Sequence, residues 1–353
     1  MLLLENIPLA PLTTIKIGGP ARYFAEARSI GEVQEAVTFA RSRDLPLFVL
    51  GGGSNLVVAD AGWPGLVLKI AVQGINKVQR SGHDEDGTVL FEVGAGESWD
   101  KFVSHAVMAR CAGVECLSGI PGSVGGTPVQ NVGAYGQEVS ETIASVQVLD
   151  LKNGQVRELC PEACGFSYRA SIFNTSERGR FIVLRVTYAL TPEGHPRITY
   201  ADLKRHFEGR ETTPNLAETR EAVRHIRALK GMLIIPGDPD CQSAGSFFKN
   251  PVLAEEQHED LKQRAAARGL TVPSYPALET RKKVSAAWLV ERSGFAKGFG
   301  FGRVGISTRH ALAIVNRGGA TAADVLALKE QIQHRVEEIW GVRLEPEPVM
   351  VGF

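Results

Sequence analysis

Between residues 118 and 136 the chain reads SGIPGSVGGTPVQNVGAYG, with six glycines, two prolines and no charge in nineteen residues. No ordinary helix or interior strand tolerates that density, because glycine loses the most backbone entropy on ordering and proline removes a hydrogen-bond donor. A neutral segment of this length weakens a core, and a flat aromatic ligand lying against its bare backbone would offset the loss. A second loop repeats the theme. An apolar strand expected over 45–50 runs straight into Gly51-Gly52-Gly53-Ser54-Asn55, which presents several N–H groups with no side chain in the way, as a diphosphate requires. It is not the dinucleotide fingerprint, since G-x-G-x-x-G fails at Leu56 and the neighbouring helix precedes the strand. A glycine turn without a ligand would account for GGGSN alone, but two such loops on one α/β unit point to a large nucleotide cofactor.

The surroundings are mixed α and β. Ser29-x-x-Glu32 reads as a capping box, followed by Val33, Ala36, Val37 and Ala40 at helical spacing, so a helix is expected to about Arg43. A strand follows at 66–70. Ser98 is placed to cap a helix buried through Trp99, Phe102, Val103, Ala106 and Val107 and ending at Gly113. Alternating segments at 143–151 and 155–159 flank Asn153-Gly154, the signal for a type I′ hairpin, and 181–190 extends the antiparallel sheet. Proline and glycine then loosen the chain, and a domain boundary is expected between 192 and 230. Beyond it the pattern predicts helices near 254–268 and 284–292, a strand near 312–315, and a long helix from the Thr321 cap to Trp340, stopped by Gly341.

A chain of 353 residues, 44% apolar, can build two or three cores without metal or disulfide staples. Its 39 basic and 39 acidic residues cancel, leaving no global field for nucleic acid or an anionic membrane. The start lacks a basic leader and no stretch reaches the length of a bilayer span, so a cytoplasmic protein is expected. The five cysteines are scattered without CxxC spacing or a matching histidine; reduced thiols and no metal are expected.

The segment TIKIGGPA from Thr14, the GGGSN loop and the 118–136 run together resemble the FAD-binding portion of the UDP-N-acetylenolpyruvoylglucosamine reductase family. Gly165-Phe166-Ser167-Tyr168-Arg169, Gly245-Ser246-Phe247-Phe248-Lys249-Asn250-Pro251 and Leu344-Glu345-Pro346-Glu347 resemble its other signature segments. The resemblance implies an α+β chain, with an FAD-binding two-subdomain fold of the vanillyl-alcohol-oxidase/PCMH type plus a smaller α/β substrate-binding domain. It divides as 1–71 and 72–215 for the FAD subdomains and 216–341 for the substrate domain, with 342–353 returning near the flavin. It implies FAD contacts at Gly51, Gly52, Gly53, Ser54, Asn55 and Leu56 in the first loop. In the second they are Ser118, Ile120, Pro121, Gly122, Ser123, Gly125, Gly126, Thr127, Asn131, Gly133 and Ala134, with Val183 beyond. Neither histidine nor cysteine occurs in the loops, so the FAD is expected to be noncovalent.

The catalytic set implied by the same resemblance is Arg169, Ser246 and Glu347. Hydride addition to an enolpyruvyl ether puts negative charge beside a carboxylate, and these residue types suit it. A permanently charged guanidinium can hold the carboxylate in fork geometry, and a protonated glutamate can donate to the same oxygens. The serine hydroxyl can protonate the carbanion if a cation such as Lys249, or an organised water, restores its proton. ITYADL resembles the mobile tyrosine segment of the longer family type, placing Tyr200 at the diphosphate. Lys230, Lys249, Asn250, Lys297 and His310 match other positions that contact a UDP-sugar. The implied reaction is NADPH-dependent reduction of UDP-N-acetyl-3-O-(1-carboxyvinyl)-glucosamine to UDP-N-acetylmuramate for peptidoglycan, ping-pong, by a monomer. An FAD-dependent oxidase of an alcohol, sugar or lactone stands as the alternative, and a noncatalytic nucleotide-sugar binder as a third reading.

Overall fold

The computed structural model describes residues 1–78, 87–277 and 280–353. The chain divides into two compact units, each assembled from discontinuous segments.

Unit 1 comprises Met1–Ile7, Ala21–Gly52 and Pro64–Leu229. Its first sheet runs in the order Leu3–Pro8, Pro20–Ala27, Trp63–Ile70, Leu47–Leu50, the last two strands parallel with Leu47 opposite Leu66. Helix Ile30–Ser42 covers it through Val33, Ala36, Val37 and Ala40, the residues its periodicity singled out. Ser29 caps that helix by accepting the Glu32 N–H, while Glu32 reaches back to the N–H of Arg28, one residue before the cap.

The second sheet of unit 1 is antiparallel, in the order Gln155–Leu159, Ile143–Asp150, Phe181–Pro192, Val89–Gly94, Ile75–Val78, with Cys111–Ala112 pairing to the far end of the long central strand. Helix Trp99–Met108 packs its expected face into this core, where Phe102 lies 4.8 Å from Tyr188 between ring centroids. Ser98 makes no side-chain cap; it pairs with Ser123 instead. The helix ends at Met108, short of Gly113, because Arg110 turns left-handed at φ 55° and sends Cys111 into the sheet. Nor is the hairpin a type I′ turn. It is a four-residue loop in which Gly154 has positive φ (74°) but Asn153 does not, closed by Gly154 N–H to Asp150 O at 2.8 Å.

Helix Leu216–Leu229 packs Ala222, Val223 and Ile226 against Cys116, Tyr135 and Leu203. Unit 1 therefore runs through Leu229, because that helix has its apolar partners in unit 1.

Unit 2 comprises Pro8–Pro20, Gly53–Trp63 and Lys230–Phe353. Helix Ala322–Trp340 is its spine: a Thr321–Asp324 capping box opens it, Gly341 at φ 67° ends it, and Val325, Leu328, Ile332, Val336 and Trp340 are buried. Helices Glu255–Ala266 and Ala286–Arg292 and the antiparallel strands Val304–Ile306 and Ile314–Asn316 complete the core with Phe247 and Phe248. Strand Val349–Val351 pairs in parallel with Leu56–Val58, the strand that leaves the first glycine loop. No helix among the described residues is long and apolar enough to cross a membrane.

Candidate active site

In unit 1 the two glycine loops touch. A Cβ on Gly52 would lie 2.5 Å from Gly122 Cα and 2.8 Å from Ser123 N, so only glycine allows this backbone approach. The 118–136 loop is braced from behind: Trp99 N–H donates to Gly122 O (3.1 Å), Val124 N–H to Glu97 O (2.9 Å) and Gly125 N–H to Ala95 O (2.9 Å). Helix Leu216–Leu229 adds a second brace. Buried Arg227 donates to Gly119 O at 3.1 Å, and Asp100 accepts the Gly119 N–H at 2.6 Å while pairing with Arg220 at 2.6 Å and Arg224 at 2.7 Å. Burial opposes the charge on Asp100, but the hydrogen bonds from Arg220 and Gly119 outweigh it and hold the carboxyl below its ordinary range.

Several expected cofactor residues spend their side chains on this scaffold. Ser118 donates to Glu115 O (2.6 Å); Thr127 donates to Val124 O (2.8 Å) and shares a 2.7 Å hydrogen bond with buried Tyr188. Asn131 donates to Glu138 (2.8 Å) and Ser167 O (3.1 Å) and accepts the Ser140 N–H (3.1 Å). Gly133 and Ala134 pair with Glu138 and Gln137, and Val183 is paired opposite Val148 in the sheet. Two features are not used in this way. Ser123 Oγ is buried with no hydrogen-bond partner among the described residues, and a Cβ on exposed Gly126 would meet no atom within 4 Å. A spare buried hydroxyl and a bare open backbone are what a phosphate and a flat ring take up, so these residues fit FAD.

Arg169 sits at the third position of a tight turn closed by Ser167 and Ala170, whose N–H groups donate to each other's carbonyls at 2.9 and 3.1 Å. Its φ of 56° is left-handed, a conformation costing a non-glycine residue about 1–2 kcal/mol. Asn174 holds the turn by donating to Arg169 O at 3.1 Å, and the guanidinium lies 5.6 Å from the Tyr168 ring centroid. Tyr200 is exposed and packs edge-on against Tyr135, ring centroids 5.4 Å apart, at the end of the 118–136 loop.

In unit 2, Gly53 (φ 66°) abuts the Leu12 carbonyl, Thr14 N–H donates to Gly53 O at 3.0 Å, and Thr14 Oγ1 donates to Ser243 O at 2.6 Å. The N–H groups of Gly53 and Ser54 donate to no backbone carbonyl among the described residues. Asn55 is tied to the C-terminal segment, donating from Nδ2 to Glu347 O at 3.3 Å and accepting the Val349 N–H at 2.9 Å. That segment runs antiparallel to 247–249: Glu347 N–H donates to Phe247 O (2.9 Å) and Lys249 N–H to Glu345 O (3.0 Å), around a Phe248–Pro346 bridge. Ser246 and Glu347 thus come onto neighbouring segments although 100 residues separate them. On the opposite edge, Phe247 N–H donates to Leu312 O at 2.7 Å and Ser243 bridges Val315, which brings His310 Nε2 to 3.0 Å from Ser246 Oγ.

The remaining expected substrate residues are placed less directly. Asn250 accepts the Ala286 N–H at 2.9 Å, Lys249 Nζ lies 3.6 Å from Glu345, Lys297 is exposed and Lys230 is half-buried. Sequence reading missed the supports: Asp238, Asp240 and Arg309 around His310, Asp100 with Arg220, and the Thr127–Tyr188 pair. Nothing in their local spacing marks them.

Two family models match the chain, one described as the UDP-N-acetylenolpyruvoylglucosamine reductase C-terminal domain over residues 238–351 and one as an FAD binding domain over residues 21–159. The UDP-N-acetylenolpyruvoylglucosamine reductase of Thermobifida fusca is 46% identical over 99% of this chain and 98% of its own length. That of Streptomyces coelicolor is 47% identical over 99% and 90%. The crystal structure of the Thermus caldophilus reductase superposes with a TM-score of 0.64 at 28% identity, covering 99% of this chain and 98% of its own. The α+β class and the FAD-binding fold expected from the sequence hold. With identity sustained across both units, the chain belongs to the UDP-N-acetylenolpyruvoylglucosamine reductase family.

Proposed function

We propose that this chain reduces the enolpyruvyl ether of UDP-N-acetyl-3-O-(1-carboxyvinyl)-glucosamine to the lactyl ether of UDP-N-acetylmuramate, with FAD and NADPH. The observation that carries the reading is the antiparallel pairing of the Ser246 and Glu347 segments, in a chain whose glycine loops leave donors and bare backbone for a flavin nucleotide. The first-loop residues from Gly51 to Leu56 and the 118–134 segment hold the FAD. When bound, it supplies two-electron chemistry, taking hydride from NADPH and returning it to the substrate.

The chain's own residues answer the charge that hydride addition leaves beside the substrate carboxylate. Arg169, raised on its strained turn, pairs with that carboxylate, and Glu347 in its protonated form donates to the same oxygens; one such donor is worth about 3–4 kcal/mol in a rate. Ser246 Oγ–H gives its proton to the carbanion and closes the reduction. Tyr200 meets the diphosphate, and Lys230, Lys249, Asn250, Lys297 and His310 contact the UDP-sugar.

The test is anaerobic. The purified protein should show a flavin spectrum, bleach with NADPH, and recover colour on addition of the enolpyruvyl nucleotide. Ser246→Ala should bleach normally and recover colour about 10²–10⁴-fold more slowly. A protein that cannot be loaded with FAD, or whose reduced flavin is reoxidised by oxygen but not by the nucleotide, overturns the reading; the second result makes it an oxidase.

A further inference from the structure

We propose that His310 is the group that resupplies the proton of Ser246, acting through the 3.0 Å contact between its Nε2 and Ser246 Oγ. The inference rests on the reduction proposed above, in which Ser246 gives up its hydroxyl proton. A serine hydroxyl is a weak acid, and its proton leaves readily only if another arrives as it goes. Lys249 follows three residues later, but its Nζ stands 3.6 Å from Glu345. The histidine, 64 positions away, is the side chain in hydrogen-bond contact with the serine.

The fold holds this pair from both sides. Phe247 N–H to Leu312 O (2.7 Å) and the Ser243–Val315 bridge set the register of the serine segment against the histidine segment. Ser307 Oγ accepts the N–H groups of Arg309 (3.1 Å) and His310 (3.2 Å), and Ala313 N–H closes the turn on His310 O at 3.1 Å. Asp240 accepts from Thr308 Oγ1 (2.6 Å), Thr308 N–H (3.2 Å) and Arg309 Nε (3.1 Å), and Arg309 also pairs with Asp238. The neighbouring guanidinium is therefore engaged by two aspartates. A group that only touched a sugar nucleotide would not need its backbone pinned at each neighbouring residue, whereas proton transfer needs its donor held to a fraction of an ångström.

The step balances without a further oxidant or reductant. As the new C–H bond forms on the substrate, the Ser246 O–H bond breaks; a new O–H bond forms with a proton from the His310 imidazolium, whose Nε2–H bond breaks to leave the neutral ring. Water then returns a proton to the ring. His310 is a positioning and relay residue for Ser246.

The test uses the FAD-loaded enzyme, reduced anaerobically with NADPH and mixed with the enolpyruvyl nucleotide in H₂O and in D₂O. Glutamine keeps a hydrogen bond but cannot pass a proton on. His310→Gln should still be reduced by NADPH, and its substrate affinity for the oxidised enzyme, read by calorimetry, should fall by no more than about tenfold. Its limiting reoxidation rate should fall about 10²-fold with a larger solvent isotope effect. His310→Gly should behave alike and be accelerated by added imidazole. A His310→Gln enzyme that reoxidises at the parent rate, or loses only substrate affinity, overturns the proposal. If His310→Gly does not fold, the glutamine variant decides alone. A normal rate for Ser246→Ala in the same experiment would instead indict the reading of Ser246.

Discussion

Two glycines in the cofactor loops are glycine for different reasons, and alanine should tell them apart. At Gly52 a Cβ would meet backbone at 2.5, 2.7 and 2.8 Å, where ordinary contact begins near 3.4 Å. The facing Gly122 and Ser123 cannot recede freely, since Gly122 O holds Trp99 N–H and Val124 N–H is tied to Glu97 O. Forcing the loops apart by about 1 Å should cost about 1–3 kcal/mol, as overpacking in braced structure does. Gly126 has no positive φ and its Cβ would meet nothing within 4 Å, so Gly126→Ala should leave the apoprotein as stable as before or gain up to about 1 kcal/mol. Yet if the flavin lies against that bare backbone, the added methyl intrudes on it. FAD affinity should then drop for both variants, by about 5–150-fold for a 1–3 kcal/mol penalty. Only Gly52→Ala should also destabilise the apoprotein. The assays are urea unfolding of flavin-free protein, with hydrogen exchange in Phe181–Pro192 reporting unit 1, and titration of each apoprotein with FAD. Unchanged FAD affinity in Gly126→Ala would refute the claim that the open face is the cofactor's, and unchanged apoprotein stability in Gly52→Ala would refute the steric argument.

Arg169→Gly should relieve a left-handed φ of 56° while removing the guanidinium; unfolding should show stability retained or raised by up to about 1 kcal/mol, with turnover lost by orders of magnitude. A marked loss of stability would mean that the turn depends on the side chain and not on its backbone. Asp238 and Asp240 give a pH prediction. Burial opposes both charges, but hydrogen bonds from Arg309 and the Asp240 N–H to Asp238, and from Thr308 and Arg309 to Asp240, outweigh it and hold both carboxyls below the ordinary range. Because the folded values lie below the unfolded value of about 3.9, their stabilisation is complete above that pH and disappears as the pH falls through the folded values. Asp240→Asn should cost unit 2 about 1–3 kcal/mol at pH 7 and little in strong acid, measured by urea unfolding across pH; a cost independent of pH would show that packing, and not charge, holds the turn.

Much of the fold was legible in the chain because it depends on neighbours in sequence. Ser29, Thr321 and Gly341 start and stop helices through contacts within one turn, and the buried positions of helices Ile30–Ser42 and Trp99–Met108 followed from a period of 3.6. Where another partner competed, the motif reading failed: Ser98 pairs with distant Ser123 instead of capping, and nearby Asp150 closes a four-residue loop where Asn153-Gly154 signalled a two-residue turn.

The candidate site divides along the same line. The two glycine loops, the signature segments and the family are properties of the sequence by itself, since motif residues need no partner to be recognised. Only the tertiary structure decided that Gly52 answers to backbone and Gly126 to open space, that Thr127 and Asn131 spend their side chains inside the scaffold, and that Arg169 rides a left-handed turn. Only it brought His310 to Ser246 and Glu347 alongside, through a register set by Phe247 between Leu312 and the C-terminal segment. Those pairings span 64 and 101 positions, and the physical reason they are unreadable in the chain is that the free energy choosing one register over another lies in the burial of Phe247 and Phe248 in a core assembled from segments far apart in sequence.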